Sequence, residues 1–177
     1  MPSRRQILGV VGTAFASGLA GCTTFQTTSG VVERKKITVG VPRTSGTPVD
    51  VSVALLTYEF DQRLVSGEHA DILREVVKDG SMSVSNTVHD RLTQQFAYVH
   101  YYTNIVPMDG SQPTNGFLPR TAFNTLSIGG TAVVEPTMKP FDSYLRLNKT
   151  SPLDQPPREV RVSQYSWEDR IDGIIWR

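Results

Sequence analysis

Val49-Asp50-Val51-Ser52-Val53-Ala54-Leu55-Leu56-Thr57-Tyr58 is the stretch that decides the fold class. Val49, Val51, Val53, Leu55 and Thr57 fall on one side of an extended chain; Asp50, Ser52, Ala54, Leu56 and Tyr58 fall on the other. Side chains alternate across a strand, and valine-rich runs with period two are the signature of one. Upstream, Pro42 to Pro48 with Gly46 is a turn region. Before that turn, residues 31–41 alternate weakly around Glu33-Arg34-Lys35-Lys36. A charged centre of this kind suits an edge strand, where it blunts pairing between sheets.

Downstream the period stays mostly two, with one exception. Ile72, Leu73, Val76 and Val77 recur at helical spacing, acids precede them, Lys78 follows and Gly80 can end the run, which predicts a short helix near 67–79. Strands are expected over 81–89, 144–147, 159–167 and 171–176, and a strand pair over 121–135 around Gly129-Gly130. The most aromatic run, 96–106, can bury both faces and reads as a central strand. Residues 108–119 form a long loop with several turn signals, and 150–157 form another with three prolines. Short strands, glycine/proline turns and one helix together predict a mainly β fold, an antiparallel β-sandwich of immunoglobulin-like layout, as a single domain over 31–177.

The N-terminal segment carries a different message. Residues 1–6 are polar with Arg4 and Arg5 adjacent, residues 7–20 are uncharged, and Gly21 precedes Cys22, the only cysteine. An uncharged run of this length falls short of the roughly 20 residues a membrane span needs. Ser3-Arg4-Arg5-Gln6-Ile7-Leu8 resembles the twin-arginine export signal, and Leu19-Ala20-Gly21-Cys22 resembles the lipobox of lipoprotein precursors at all four positions. Together they are similar to the surface lipoproteins that haloarchaea export, although the near-neutral charge here departs from the acidic composition usual in those organisms. The resemblance covers residues 3–22. It implies removal of 1–21, a lipid on Cys22, export of a folded domain, and a working location on the outer face of the cytoplasmic membrane. Residues 22–30, rich in threonine and free of charge, read as lipid anchor and flexible tether.

Composition bounds the function. Lys plus Arg number 18 against 17 Asp plus Glu, which offers no basic stripe for nucleic acid. With Cys22 taken by lipid, the domain has no thiol for disulfides, iron–sulfur clusters, cysteine-type zinc sites or a cysteine nucleophile. No Walker loop, Gly-x-Gly-x-x-Gly or Gly-x-Ser-x-Gly occurs, so no cofactor and no catalytic residue is expected. His69, His89 and His100 lack ligand spacing, so no metal site is expected either.

The strongest binding feature is the aromatic face Phe96, Tyr98 and Tyr102, which can stack on sugars or face a protein, or else belong to the core. Asn148-Lys149-Thr150 is an N-glycosylation sequon. The expected function is therefore a membrane-anchored extracytoplasmic lipoprotein with a binding or structural role at the cell surface, its partner an envelope protein or glycan. Two alternatives stand beside it. One is an exported hydrolase or ligand-capture domain with 108–119 as lid; the other is a subunit of a surface assembly docking by strand addition at 31–41.

Overall fold

The computed structural model describes residues 27–44, 46–139 and 142–175. Arg4, Arg5 and Cys22, and with them the signal and the anchor, lie outside the described residues. The chain is mainly β. Its strands are β1 (Thr28–Val41), β2 (Val49–Glu59), β3 (Leu64–Ala70), β4 (Val77–Lys78), β5 (Ser81–Met82), β6 (Val99–Val106), β7 (Thr114–Phe117), β8 (Thr131–Lys139), β9 (Asp142–Ser151) and β10 (Glu159–Tyr165). The helices are α1 (Asn86–Gln95), α2 (Arg120–Thr125) and α3 (Trp167–Ile175).

Eight strands form one sheet in the order β10-β3-β2-β1-β6-β7-β9-β8, and β8 returns to pair with β1. Five strands, β1, β6, β7, β9 and β8, thus close into a barrel, while β2, β3 and β10 continue from it as a flap. This layout departs from the expected sandwich, because the strands belong to one continuous sheet. The cause is the length of β1. One edge of it pairs with β6; the other pairs with β8 over Thr28–Val31 and with β2 over Arg34–Val41. The expected edge strand is therefore the central strand, with no open edge for strand addition. Its first three residues, Thr28–Gly30, also belong to the barrel rather than to the tether.

Bulges make this pairing compatible with the sequence. The register of β1 against β6 slips between Val32 and Arg34, so Glu33 is an extra residue. That slip keeps Val32 inside and sends only Lys35 of the charged run inward. A second slip between Ile37 and Thr38 leaves Val53 of β2 extra. The alternation of β2 changes phase there, so Val51 and Val53 and then Ala54, Leu56 and Tyr58 are all buried.

Four local expectations are corrected. The helix expected at 67–79 is instead the end of β3, a single 3-10 turn (Asp71–Leu73) and the β4–β5 hairpin. Its apolar residues are buried as a helix would bury them, but Asp79 (φ 50°) and Gly80 (φ 73°) form a two-residue left-handed turn, the Asp-Gly hairpin signal. The strand expected at 81–89 gives way after Met82 to α1. Ser85 caps that helix by accepting from the Val88 amide at 3.2 Å, and Val88 and Leu92 bury at i, i+4. Residues 120–125 form α2 rather than a strand, and Gly129 and Gly130 bond to Val32 of β1 instead of turning a hairpin. Residues 167–175 form α3, whose first turn carries Glu168 and Asp169 and whose Asp169 amide bonds Ser166 Oγ at 3.4 Å. The strands expected within 49–58, 144–147 and 159–167 are present.

One apolar core runs from Val31 to Trp167. Within it lies Lys35, 1% exposed. Its ammonium donates to Leu126 O at 2.7 Å and Met82 O at 2.8 Å and sits 4.3 Å from the Phe123 ring centre. Burial pulls its pKa from 10.5 down to about 7. Between about pH 7 and 10.5 the unfolded chain binds the proton more tightly, so stability should rise with pH across that window, by an upper bound of ~5 kcal/mol. Burial raises the neighbouring Tyr101 to about 12, with Arg120 opposing, so stability should fall again between about pH 10 and 12. Urea unfolding across pH 6–12 checks this profile, and Lys35→Met should remove its rising limb.

Candidate functional site

The outer wall of the barrel holds the densest arrangement of functional side chains. Along β6, Tyr101, Thr103 and Ile105 are buried inside, while His100, Tyr102 and Asn104 are partly exposed outside. Tyr98, just before the strand, joins the outer row. Its carbonyl accepts from the Gly40 amide at 3.0 Å, and its ring lies over that glycine, where an added Cβ would come within 2.5 Å of the ring. Tyr98 Oη then reaches across β1 to donate to Asp50 Oδ1 at 2.9 Å. Partial burial and, next, the Asp50 carboxylate raise the Tyr98 pKa.

The row continues across strands. The Tyr98 and His100 rings stack at 4.7 Å and 22°, and His100 meets Phe117 of β7 at 4.6 Å. Phe117 meets Tyr102 at 5.9 Å and Tyr144 of β9 at 5.9 Å. Lys36 Nζ covers the Tyr102 ring at 4.6 Å. Phe117 opposite Tyr144 is also the one paired position between β7 and β9, the weakest join in the barrel. Cross-strand aromatic pairs are worth roughly 0.2–1 kcal/mol each, so the rings brace the seam from outside. Gly40, the neighbouring rings and Lys36 all contact this row.

Beside Tyr102 is a polar notch. Asn104 Nδ2 donates to Glu33 Oε2 at 2.6 Å, and Arg34 lies opposite Asn104 in register. Among the described residues, Arg34 Nε finds no acceptor and Asn104 Oδ1 no donor. Both atoms are buried, so neither is open to an outside partner. Partial burial raises the Tyr102 phenol, Arg34 opposes that shift and Glu33 adds to it.

Of the residues expected on one aromatic face, Tyr98 and Tyr102 are on this wall and Phe96 is not. Phe96 ends α1, is buried, and packs edge-on against Trp167 at 5.5 Å and 90°. The strand begins at Val99, and Phe96 lies on the helical side of that boundary. Asn148 is the extra residue of a bulge in β9 and is exposed, 3.5 Å from Glu135 Oε2. The three histidines are on separate elements: His69 Nδ1 contacts Ala70 O at 2.9 Å, His89 Nδ1 contacts Tyr101 Oη at 2.8 Å, and His100 joins the aromatic row. Among the described residues, no three His, Cys, Asp or Glu side chains cluster as a metal site would need. No helix among them is long and apolar enough to cross a membrane.

The expected 108–119 lid is also revised, since Thr114–Phe117 is β7 and only the preceding residues form a loop. That loop lines an open cleft of about 620 Å³ together with Thr27–Ser29. Asp109 is the one carboxylate in its lining, and its Oδ1 accepts from the Ser111 amide at 3.0 Å. That bond lowers the Asp109 pKa. Sequence reading missed Phe117, Tyr144, Lys36 and the Arg34–Asn104 notch.

No protein-family model, no curated protein and no solved structure matches the chain.

Truncating Phe117→Ala should cost about 2–3 kcal/mol by removing the ring that braces the seam, whereas Tyr98→Phe, which loses one exposed hydrogen bond, should cost about 1 kcal/mol or less. Urea unfolding of the two variants measures the difference.

Proposed function

We propose that this chain is an exported lipoprotein, held at the outer face of the cytoplasmic membrane by a lipid on Cys22, whose barrel presents the Tyr98–Tyr102 wall to an envelope protein. The observation that carries the anchor is the pair of motifs, Arg4-Arg5 ahead of an uncharged run and Leu19-Ala20-Gly21-Cys22 at its end. The position of β1 supports it: the first strand begins at Thr28, so an ordered barrel follows the lipidation site after a short tether. Two acyl chains at about 0.8 kcal/mol per buried methylene hold a domain stably, where one does not.

Tyrosine is enriched at protein interfaces, which favours a protein partner over a glycan. The exposed sequon at Asn148 lies in β9, so a glycan there would be a modification of the chain rather than its ligand. A second reading, assembly by strand addition, moves from β1 to β10. That strand is the outermost of the flap, is largely exposed, and leaves Val160 41% exposed.

Two outcomes are expected. Cys22→Ser should shift the protein from the membrane to the soluble fraction, and retention on the membrane would contradict the anchor. A photoreactive side chain at Tyr102 should crosslink to protein in intact cells. The same group at Arg161 of β10 should not, and the reverse pattern would favour assembly through the flap.

A further inference from the structure

Three exposed large apolar side chains stand out among the described residues: Phe60 at 41%, Met108 at 81% and Val160 at 41%. Two of them, Phe60 and Met108, border the same cleft of about 360 Å³, with Val31, Tyr58, Pro152 and Leu153. They reach it from different connections. Phe60 is in the β2–β3 turn, Met108 in the β6–β7 loop, and Pro152 and Leu153 in the β9–β10 loop. These loops converge at the end of the barrel where β1 begins. Met108 lies beside Val31, and its neighbours Pro107 and Asp109 line the next cleft with Thr27, Thr28 and Ser29.

Resting on the lipid anchor proposed above, we infer that this end of the barrel is a membrane-contact surface, with Phe60 and Met108 inserted among the headgroups of the bilayer that holds Cys22. Chain length chooses this occupant. At 3.3–3.6 Å per residue, covalent geometry limits the path from Cys22 to Thr28 to about 20 Å. A lipid on Cys22 therefore keeps the start of β1, and the apolar loop tips around it, within reach of the bilayer. The far end of β1 is held away, since Val31 to Val41 spans about 33 Å at about 3.3 Å per residue. The rim carries both signs, Arg63 and Asp154, so insertion of apolar side chains rather than attraction to anionic lipid drives the contact. The aromatic wall then stands on the side of the barrel, clear of the membrane and open to a partner.

The test uses the one-cysteine composition. Met108→Cys and Thr44→Cys are made in the full chain with Cys22 intact, extracted from membranes, and labelled with a polarity-sensitive thiol dye. Each is reconstituted into neutral phosphatidylcholine vesicles containing doxyl-phosphatidylcholine. Thr44, in the exposed β1–β2 turn, is the control at the far end. A dye at residue 108, about 5–10 Å into the interface, should shift to the blue and be quenched about twofold by doxyl lipid, while the dye at residue 44 stays aqueous and unquenched. Equal, aqueous behaviour at both positions would overturn the contact. So would a dye at 108 that is shielded without doxyl quenching, because that places a protein there. Labelling stoichiometry separates this inference from the anchor. One dye per chain means Cys22 is blocked; two per chain mean it is a free thiol, which overturns the anchor and the contact together.

Discussion

The structure depends on the pairing of β1 along both of its edges. One strand of fourteen residues holds β6 on one side and both β8 and β2 on the other. That arrangement closes the barrel, and the flap joins the barrel through β1. It also puts a charged run at the centre of the fold. The bulge at Glu33 resolves the conflict by turning Arg34 and Lys36 outward and leaving Lys35 alone to be buried. Lys35 is satisfied by two carbonyls and a ring face, and among the described residues no carboxylate pairs with it. A buried, hydrogen-bonded cation without a counter-ion costs stability at neutral pH but fixes which loop carbonyls can close that end of the core. The same bulge sets Arg34 opposite Asn104.

The two outward features of the barrel divide its tasks. The end at the start of β1 is apolar and formed by loop tips; the wall across β6, β7 and β9 is aromatic and polar-edged. The wall has a structural duty as well, because Phe117 and Tyr144 cover the single paired position that joins β7 to β9. A surface that braces the barrel is held rigid, and a rigid aromatic surface loses little side-chain entropy when it meets a partner. On the proposed reading, stability and binding rest on the same rings, and separating them requires changes to hydroxyls rather than loss of whole rings.

Part of this was legible in the sequence. The β class followed from period-two runs such as 49–58, and the long strand and the turn at 42–48 were readable. Closure was not, because pairing between β1 and β8 links residues about a hundred positions apart and leaves no local pattern. The charged run at 33–36 was read as an edge because charge is usually solvated; a bulge that re-phases the strand by one residue reverses that inference. The hairpin at Asp79-Gly80 and the caps at Ser85 and Ser166 were local signals outweighed by the apolar spacing around them. Phe96 was misplaced by a boundary of three residues. Phe117, isolated in a glycine- and proline-rich stretch, becomes meaningful only when β7 lies between Tyr102 and Tyr144.

The intact mass of the protein taken from membranes tests most directly whether a lipid holds this barrel by its first strand. A mass equal to residues 22–177 plus a two-chain lipid on Cys22 is the expected result. A mass equal to the uncut chain would contradict it, because residues 1–21 would then belong to the working protein and the barrel would not hang from Cys22.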